Sequence, residues 1–249
     1  MRGKVALITG AAAGIGAACA RRIAQDGVSI GVLDIDKARC AEAVELVRSA
    51  GGKAVALGAD ITRQDDVRQA VAECREALGP ITIVVNNAGI TDFTPFEEVT
   101  EELWNRVYRV NVLGTVLVTQ AVLPDMKAAK WGRVVNISSS SAQTGSVNMT
   151  TYSSSKGAVV TLTRSLAQEL GPLGITVNNV APGAIMNTIM SEANKHRAKL
   201  SQEQLLKAIP VRRTGEPDDL ANAVAWLCQE ATSYFTGQTV GVNGGRVVT

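Results

Sequence analysis

A glycine-rich turn near the start of the chain joins an apolar segment to a helical pattern. The range 4–9 consists mostly of apolar and β-branched residues, which predicts a buried strand, and the helical pattern runs from residue 14 to about residue 25. Between them lies Gly10-Ala11-Ala12-Ala13-Gly14-Ile15-Gly16. In such a turn Gly10 permits the tight bend, Gly14 the approach of a pyrophosphate, and Gly16 the close packing of helix on strand. The pattern indicates a dinucleotide site, and the alternative is a tight turn without a ligand.

An acidic residue follows the second predicted strand. Residues 28–33 are again largely apolar, and Asp34 comes about twenty residues after the glycine turn. A carboxylate at this place binds ribose hydroxyls and repels a 2′-phosphate. The next residue is Ile35, and the glycine turn contains no basic residue. The sequence therefore predicts NAD rather than NADP.

Strand and helix patterns alternate along all 249 residues, which predicts one α/β domain over 1–249. The strands are near-continuous apolar runs, as in a doubly wound parallel sheet of about seven strands with helices on both faces. Strands are expected near 4–9, 28–34, 53–57, 81–85, 132–137, 175–180 and 238–242. Helices are expected near 14–26, 36–50, 63–78, 100–127 with a possible break at Pro124, 151–170, 188–207 and 216–230.

Composition excludes several classes of function. A net charge of +2 gives no reason to expect a nucleic-acid partner. The cysteines are scattered and His196 is the only histidine, so we expect no metal site and no Ser-His-Asp triad unless His196 carries it. Neither a signal peptide nor an apolar run of about 18 residues is recognisable, so we expect no membrane association. Scattered reduced thiols favour a cytoplasmic protein.

Small and polar residues follow most of the other predicted strands. They are Asp60-Ile61, Asn86-Asn87-Ala88-Gly89, Ser138-Ser139 and Pro182-Gly183. The carboxyl ends of parallel strands meet at one edge of a sheet, where ligands bind. These residues therefore predict a cofactor crevice.

Tyr152 and Lys156 lie four residues apart in a predicted helix, which places a phenol and an ammonium group on one face. A phenol ordinarily has a pKa near ~10, and a neighbouring cation lowers it. Such a pair can exchange a proton near neutral pH. Most pairs with this spacing are surface coincidences, so the interpretation depends on the rest of the pattern.

Together these segments resemble the short-chain dehydrogenase/reductase family, in its common form of ~250 residues, over essentially the whole chain. The resemblance implies a Rossmann fold and an oxidoreductase in which Tyr152 exchanges a proton with an alcohol or ketone. Ser139, thirteen residues before Tyr152, matches the family's catalytic serine, with Ser138, Ser140 and Ser141 close by. Lys156 would bind the nicotinamide ribose and lower the pKa of Tyr152. Asn111 matches an asparagine whose backbone carbonyl holds a water that connects the lysine to solvent.

The resemblance also implies which residues contact the cofactor. Asp60 and Ile61 would touch the adenine, while Ile185 and Asn187 would reach the nicotinamide end, with Thr188 as the alternative to Asn187. The complete expected set is Gly10, Ala13, Gly14, Ile15, Gly16, Asp34, Ile35, Asp60, Ile61, Asn87, Ala88, Gly89, Tyr152, Lys156, Pro182, Gly183, Ile185 and Asn187.

The substrate is less constrained. A lid is expected at about 187–210, where apolar residues could line a pocket or pack lid helices, and the basic run 195–199 is better explained as a solvated face. Residues 142–150 are expected to form the opposite wall, and their lack of Arg or Lys disfavours a small carboxylate. Carrier-protein ketoreductases tend to have basic residues before the strand 174–177, where this chain has Gly171-Pro172-Leu173.

The leading hypothesis is an NAD-dependent dehydrogenase or ketoreductase for a secondary alcohol and its ketone. The alternative within the same chemistry is a 3-oxoacyl-thioester reductase. A redox-sensing dinucleotide binder without catalysis and a methyltransferase are less favoured, since neither explains Tyr152 with Lys156. Helices 100–127 and 151–170 carry apolar residues on more than one face: Val112, Leu113, Val116, Leu117, Ala158, Val159, Leu162 and Leu166. The resemblance implies that these helices pair across the interface of a homotetramer or homodimer. The alternative is a monomer in which these residues pack inside the chain.

Overall fold

The computed structural model describes residues 1–186 and 201–248. Seven parallel strands form one sheet in the order β3-β2-β1-β4-β5-β6-β7. Their bounds are β1 Val5–Thr9, β2 Ser29–Asp34, β3 Ala54–Gly58, β4 Ile81–Asn86, β5 Gly132–Ile137, β6 Ile175–Pro182 and β7 Thr239–Val242. The predicted doubly wound parallel sheet is confirmed, and each strand lies within two residues of its predicted bounds.

Helices cover both faces of this sheet. Their bounds are α1 Gly14–Ala24, α2 Ala41–Ser49, α3 Gln64–Leu78, α4 Glu101–Tyr108, α5 Gly114–Ala129, α6 Ser141–Thr144, α7 Thr150–Leu170, α8 Gln202–Lys207 and α9 Pro217–Leu227. One apolar cluster lies under α1, α2 and α9, and the other lies under α3, α5 and α7. Alternate residues of β1 enter the two clusters, Ala6 and Ile8 on one face and Val5 and Leu7 on the other. Burial on both faces explains the continuous apolar runs.

The strand order reverses beside β1. β1 pairs with β2 on one side and with β4 on the other, so the chain winds away from this point in both directions. Loops that leave the carboxyl ends of β1 and β4 therefore separate, and a crevice opens between them. This geometry places the glycine turn, which follows β1, beside the segment that follows β4.

The predicted break at Pro124 is wrong. α4 continues through a π-helical turn, Arg109–Leu113, into α5, and Pro124 lies inside α5. Proline removes the hydrogen bond to the carbonyl four residues earlier, and here that residue is Gln120, which is exposed and can be hydrated. The irregularity instead falls at the π turn, which contains Asn111.

By length and mean hydropathy, the continuous helix Glu101–Ala129 could cross a membrane. Three of its side chains, Val118, Val122 and Met126, are fully buried in the apolar cluster under the sheet. Core packing thus accounts for part of its apolar character, and the absence of a membrane association stays a prediction. Of the predicted helix 188–207, residues 188–200 lie outside the described residues, and α8 forms the remainder, capped by Ser201.

Candidate active site

A crevice of about 830 Å³ lies at the carboxyl ends of the strands. Most of the predicted cofactor residues line it, together with Ser139. They are Gly10, Ala13, Gly14, Ile15, Asp34, Ile35, Asp60, Ile61, Asn87, Ala88, Gly89, Tyr152, Lys156, Pro182, Gly183 and Ile185. The fold therefore brings together residues that are up to 175 positions apart in the sequence (Gly10 and Ile185).

The glycine turn is closed too tightly for side chains. Gly10 has φ +62°, in the left-handed region, and a Cβ on it would lie 2.9 Å from the Cα of Ala88. A Cβ on Gly16 would lie 2.3 Å from the carbonyl oxygen of Gly10. Gly16 does not line the crevice; it lets α1 pack against the turn, as predicted. Because Ala13 has no side chain that could cap α1, the first N–H groups of that helix stay available for an anion.

Side-chain hydrogen bonds hold the ends of β1 and β4 together. The hydroxyl oxygen of Thr9 accepts from the backbone N–H groups of Asn87 and Ala88, both at 3.0 Å. The Asn87 amide donates to the carbonyl oxygens of Thr9 and Gly10, also at 3.0 Å. This network fixes the glycine turn against the segment that follows β4. It supports the predicted placement of Asn87 beside the cofactor loop.

The Asp34 carboxylate lies at the end of β2, facing the crevice, with little exposure. Its oxygens accept from the backbone N–H of Ile35 at 2.9 Å and of Ala12 at 3.4 Å. The Arg39 guanidinium lies 3.7 Å from the same carboxylate and also lines the crevice. Sequence reasoning missed Arg39 because it considered only the glycine turn and the residue directly after Asp34. The sequence did contain a signal for this contact, namely a basic residue five positions after Asp34.

Tyr152 is buried, and its hydroxyl is in hydrogen-bonding contact with Ser139. Burial raises the pKa of Tyr152, and the contact with Ser139 opposes that rise. The Ser139 oxygen accepts from the Ser141 hydroxyl at 2.9 Å and from the Ser141 backbone N–H at 3.1 Å. With both acceptor positions of Ser139 used by Ser141, the Ser139 proton is left to point toward Tyr152 or a substrate oxygen. Ser139 is the serine beside Tyr152, as the resemblance implied.

Lys156 is buried below Tyr152, with its ammonium nitrogen 5.8 Å from the centre of the phenol ring. The ammonium donates to the carbonyl oxygen of Ile137 at 2.8 Å. A Cβ on Gly89 would lie 3.2 Å from the same nitrogen, so the absence of a side chain at residue 89 makes room for it. Desolvation lowers the pKa of Lys156 from 10.5 to about 8. The expected lowering of the Tyr152 pKa is not found in the chain alone, since desolvation outweighs the hydrogen bond with Ser139.

Asn111 is buried behind the crevice and does not line it. Its amide donates to the Ile90 carbonyl oxygen and the Ser155 hydroxyl, and its side-chain oxygen accepts from the Ile90 N–H. Its backbone carbonyl accepts from the Thr115 hydroxyl at 3.0 Å. The water that the resemblance implies at this carbonyl stays a prediction. Asn111 therefore joins the π turn, the loop after β4 and α7. The predicted contact at Asn187 lies outside the described residues.

Several further uncharged residues line the crevice among the described residues, and we take them as its candidate substrate side. They are Ile90, Thr91, Phe93, Val110, Ser138, Met149 and Ala184. Met149 belongs to the wall predicted at 142–150, whereas Phe93 supplies an aromatic group from a loop that the prediction omitted. Among residues 1–186 and 201–248, His, Cys, Asp and Glu form no group of three that could hold a metal ion.

Comparison with known proteins agrees with this geometry. The sequence model of the family described as "Enoyl-(Acyl carrier protein) reductase" matches residues 10–246. A 3-oxoacyl-[acyl-carrier-protein] reductase, FabG, of Aquifex aeolicus (strain VF5) is 39% identical over 249 residues, which cover 98% of each chain.

Two solved structures have the same fold over nearly their whole length. One is a 7α-hydroxysteroid dehydrogenase complexed with NADH and 7-oxo glycochenodeoxycholic acid, with a TM-score of 0.92 and 38% identity over 98% of this chain and 94% of that one. The other is an NAD⁺-bound xylitol dehydrogenase, with a TM-score of 0.92 and 32% identity over 98% of this chain and 99% of that one. With its sequence, its sheet and its crevice in agreement, the chain belongs to the short-chain dehydrogenase/reductase family and is an oxidoreductase.

Proposed function

We propose that the protein is an NAD(H)-dependent oxidoreductase that interconverts a secondary alcohol and its ketone. The observation that carries this proposal is that Ser139, Tyr152 and Lys156 meet in the crevice that also contains the glycine turn and Asp34. The crevice fits a nicotinamide dinucleotide, because it offers open helix N–H groups for a pyrophosphate and a carboxylate for ribose hydroxyls.

The proposed chemistry assigns one task to each side chain. When bound, nicotinamide supplies or accepts the hydride. In reduction, the Tyr152 hydroxyl gives its proton to the substrate oxygen, and in oxidation its phenolate takes the proton of the alcohol. The Ser139 hydroxyl donates a hydrogen bond to that same oxygen and holds it beside Tyr152. The Lys156 ammonium would bind ribose hydroxyls, favours the phenolate by its charge, and passes protons between Tyr152 and water at Asn111: toward Tyr152 in reduction and away from it in oxidation.

Preference for NAD over NADP follows from Asp34. Its carboxylate would lie where a 2′-phosphate must enter, and like charges at that distance repel. Arg39 weakens this rejection, because its guanidinium partly compensates the carboxylate at 3.7 Å. The test is the ratio of kcat/KM for NADH to that for NADPH in one assay. A ratio below one would contradict the assignment.

A 3-oxoacyl-thioester reductase is the second candidate, favoured by the full-length similarity to the FabG of Aquifex aeolicus. The residues around the crevice argue against this candidate. Within the described residues, neither the substrate side of the crevice nor the segment 171–173 contributes a cation that could bind an acidic carrier protein. Apolar and aromatic groups such as Phe93 and Met149 instead favour a substrate that is uncharged around its carbonyl.

The deciding experiment is a panel of ketone reductions with NADH. The panel contains β-ketoacyl thioesters, cyclic and steroid ketones, and sugar-derived ketones. Tyr152→Phe removes the proton donor, so we expect NADH binding to remain and turnover to fall by about 10²–10⁴. Tyr234→Phe is the matched control, since Tyr234 is fully exposed. Turnover of Tyr152→Phe within tenfold of the parent would refute the proposed role. Tight NADH binding without turnover on any ketone would favour the redox-sensor alternative.

We also propose a homotetramer, or at least a homodimer, built through α5 and α7. The apolar residues predicted for this interface are mostly only partly buried in the single chain. They are Val112, Leu113, Val116, Leu117, Ala158, Leu162 and Leu166, while Val159 is buried. Light scattering on the purified protein tests the assembly, and a monomer at micromolar concentration would contradict it. A location in the cytoplasm remains part of the proposal.

A further inference from the structure

A row of buried polar side chains joins α5 to α7 across two neighbouring strands of the sheet. Thr119 lies on α5, Asn86 ends β4, Asn136 lies on β5 and Thr163 lies on α7, and none of the four is more than 4% exposed. The Asn86 amide donates to the Thr119 hydroxyl oxygen at 3.0 Å and to the Asn136 side-chain oxygen at 2.8 Å. The Asn136 amide donates to the Thr163 hydroxyl oxygen at 2.9 Å. We call these four side chains the polar clamp.

Both threonine hydroxyls of the polar clamp are oriented by their own helices. The Thr119 hydroxyl donates to the Thr115 carbonyl oxygen at 2.7 Å, and the Thr163 hydroxyl donates to the Val159 carbonyl oxygen at 2.9 Å. A hydroxyl has one proton, so with that proton used each oxygen can only accept a further hydrogen bond. The asparagine amides supply the donors. An aliphatic side chain in place of either asparagine could not make these bonds.

The polar clamp lies beside apolar side chains. Val118 and Val122 of α5 and Val134 of β5 belong to the apolar cluster on this face of the sheet. Asn136 follows Val134 by two residues and therefore points to the same face. Burial of polar groups is unfavourable unless they are hydrogen-bonded, and the Asn86 side-chain oxygen has no partner among the described residues. Aliphatic residues could fill this layer without that penalty, so the polar clamp calls for a reason other than stability.

Thr163 lies on the same face of α7 as the catalytic groups. It follows Lys156 by seven residues and Tyr152 by eleven, which is about two and about three turns of helix, and all three side chains are buried. Lys156 makes its own bond to β5, since its ammonium donates to the Ile137 carbonyl oxygen at 2.8 Å. Asn136 and Ile137 are neighbours, so adjacent residues of β5 hold α7 at two points about 10 Å apart along the helix. The polar clamp itself contributes no residue to the lining of the crevice.

We propose that Asn136 and Thr163 are positioning residues for Tyr152: the bond between them fixes where α7 lies along β5. The strand leads to Ser139, three residues after Asn136, and the helix carries Tyr152. This inference rests on the proposed function, since it presumes that Ser139 and Tyr152 act on the same substrate oxygen. Apolar side chains alone can pack in several slightly different arrangements, whereas a buried hydrogen bond selects one of them. A misplacement of about 1 Å at a reacting group can lower a rate by about 10²-fold.

The first test compares Thr163→Val, Thr163→Ser and Thr176→Val in the full-length protein. Valine has the shape of threonine without the hydroxyl, whereas serine keeps the hydroxyl. For Thr163→Val we expect kcat to fall about 5–50-fold. The KM for the ketone and the Kd of NADH should stay within about twofold of the parent, because the groups that contact them are unchanged. Thr163→Ser should keep kcat within about threefold of the parent.

Thr176→Val is the matched control. Thr176 is a buried threonine on β6, and its hydroxyl makes no hydrogen bond to a described residue. The substitution therefore makes the same chemical change in the same sheet without breaking a bond, and kcat should stay within about twofold of the parent. Equal losses of kcat in Thr163→Val and Thr176→Val would overturn the inference, because the loss would then follow from any such change in the core.

A double variant separates positioning from stability. Thr163→Val leaves the Asn136 amide buried without its partner, which lowers the urea midpoint of unfolding. Asn136→Leu combined with Thr163→Val replaces both groups by apolar ones of similar shape. Its urea midpoint should recover at least about half of that loss, while kcat stays at least about fivefold below the parent. Recovery of kcat together with the midpoint would mean that the bond only stabilises the fold. If Thr163→Val does not fold, the double variant carries the kinetic test by itself.

Crystal structures of the parent and the double variant give a readout that needs no turnover. The distance between Ser139 Oγ and Tyr152 Oη should lengthen by at least about 0.5 Å in the variant. An unchanged distance, or a parental kcat in the double variant, would overturn the inference and leave the proposed function intact. A parent protein that reduces no ketone would instead count against the proposed function, and the measured distance would still decide whether Asn136 and Thr163 position Tyr152.

Discussion

The buried ammonium of Lys156 should make the stability of the protein depend on pH in a defined direction. Desolvation lowers its pKa from 10.5 to about 8 in the folded chain. Between those two values the unfolded chain binds more protons than the folded one, so the free energy of unfolding rises with pH. Below pH 8 the penalty for burying the charge is fully present, and above 10.5 it is absent.

The size of this effect follows from the shift. A difference between 10.5 and about 8 corresponds to about 3 kcal/mol between the charged and neutral limits. From pH 7 to pH 9.5 the relief amounts to about 2 kcal/mol, because the unfolded lysine is still largely protonated at the upper end. Lys156→Met removes the ammonium and keeps a side chain of similar length. The stability of the parent relative to Lys156→Met should therefore rise by about 2 kcal/mol over this interval.

Urea unfolding at fixed protein concentration, without cofactor, measures this difference at each pH. Subtraction of the variant removes the contributions of groups that both proteins share, including the cysteines, whose pKa values burial also raises. Lys127→Met, at an exposed lysine, is the control for loss of a lysine as such. A difference between parent and Lys156→Met that stays constant within about 0.5 kcal/mol from pH 7 to 9.5 would refute the reasoning.

Three further substitutions test the crevice. Gly16→Ala would place a methyl group 2.3 Å from a backbone carbonyl oxygen. We therefore expect the free energy of unfolding to fall by about 1–3 kcal/mol and NADH binding, measured by fluorescence titration, to weaken at least tenfold. Unchanged binding would contradict the packing argument. Ser141→Ala removes one of the two donors to Ser139, so steady-state kinetics should show kcat about 3–10-fold lower at unchanged KM for NADH. Arg39→Ala removes the partner of Asp34, so the kcat/KM ratio of NADH over NADPH should rise at least threefold; a fall would mean that Arg39 does not support NADPH.

Two parts of the crevice, the glycine turn and Asp34, were predictable because a local sequence pattern marks each of them. A glycine turn between an apolar strand and a helix has few structural solutions, and Asp34 follows a recognisable strand. Their placement in one crevice needs only the rule that carboxyl ends of parallel strands share an edge. The strand bounds could be predicted for the same reason, since burial on both faces produces continuous apolar runs. The misplaced break at Pro124 shows the limit of local reasoning, because the exposure of Gln120, four residues before the proline, is set by the fold and not by the local sequence.

The electrostatics of the catalytic pair could not be predicted from spacing. The four-residue spacing of Tyr152 and Lys156 indicates a shared helical face, but it carries no information about burial. In the fold, desolvation raises the pKa of Tyr152 and lowers that of Lys156, so each change disfavours the charged form of its group. At neutral pH the chain by itself therefore holds a neutral phenol, which has a proton to give, beside a lysine that is still mostly protonated. Ketone reduction requires this combination, whereas alcohol oxidation requires the phenolate. Under the proposed function, the positive charge of bound oxidised nicotinamide would favour the phenolate, and the acid–base state of Tyr152 would then depend on the redox state of the cofactor.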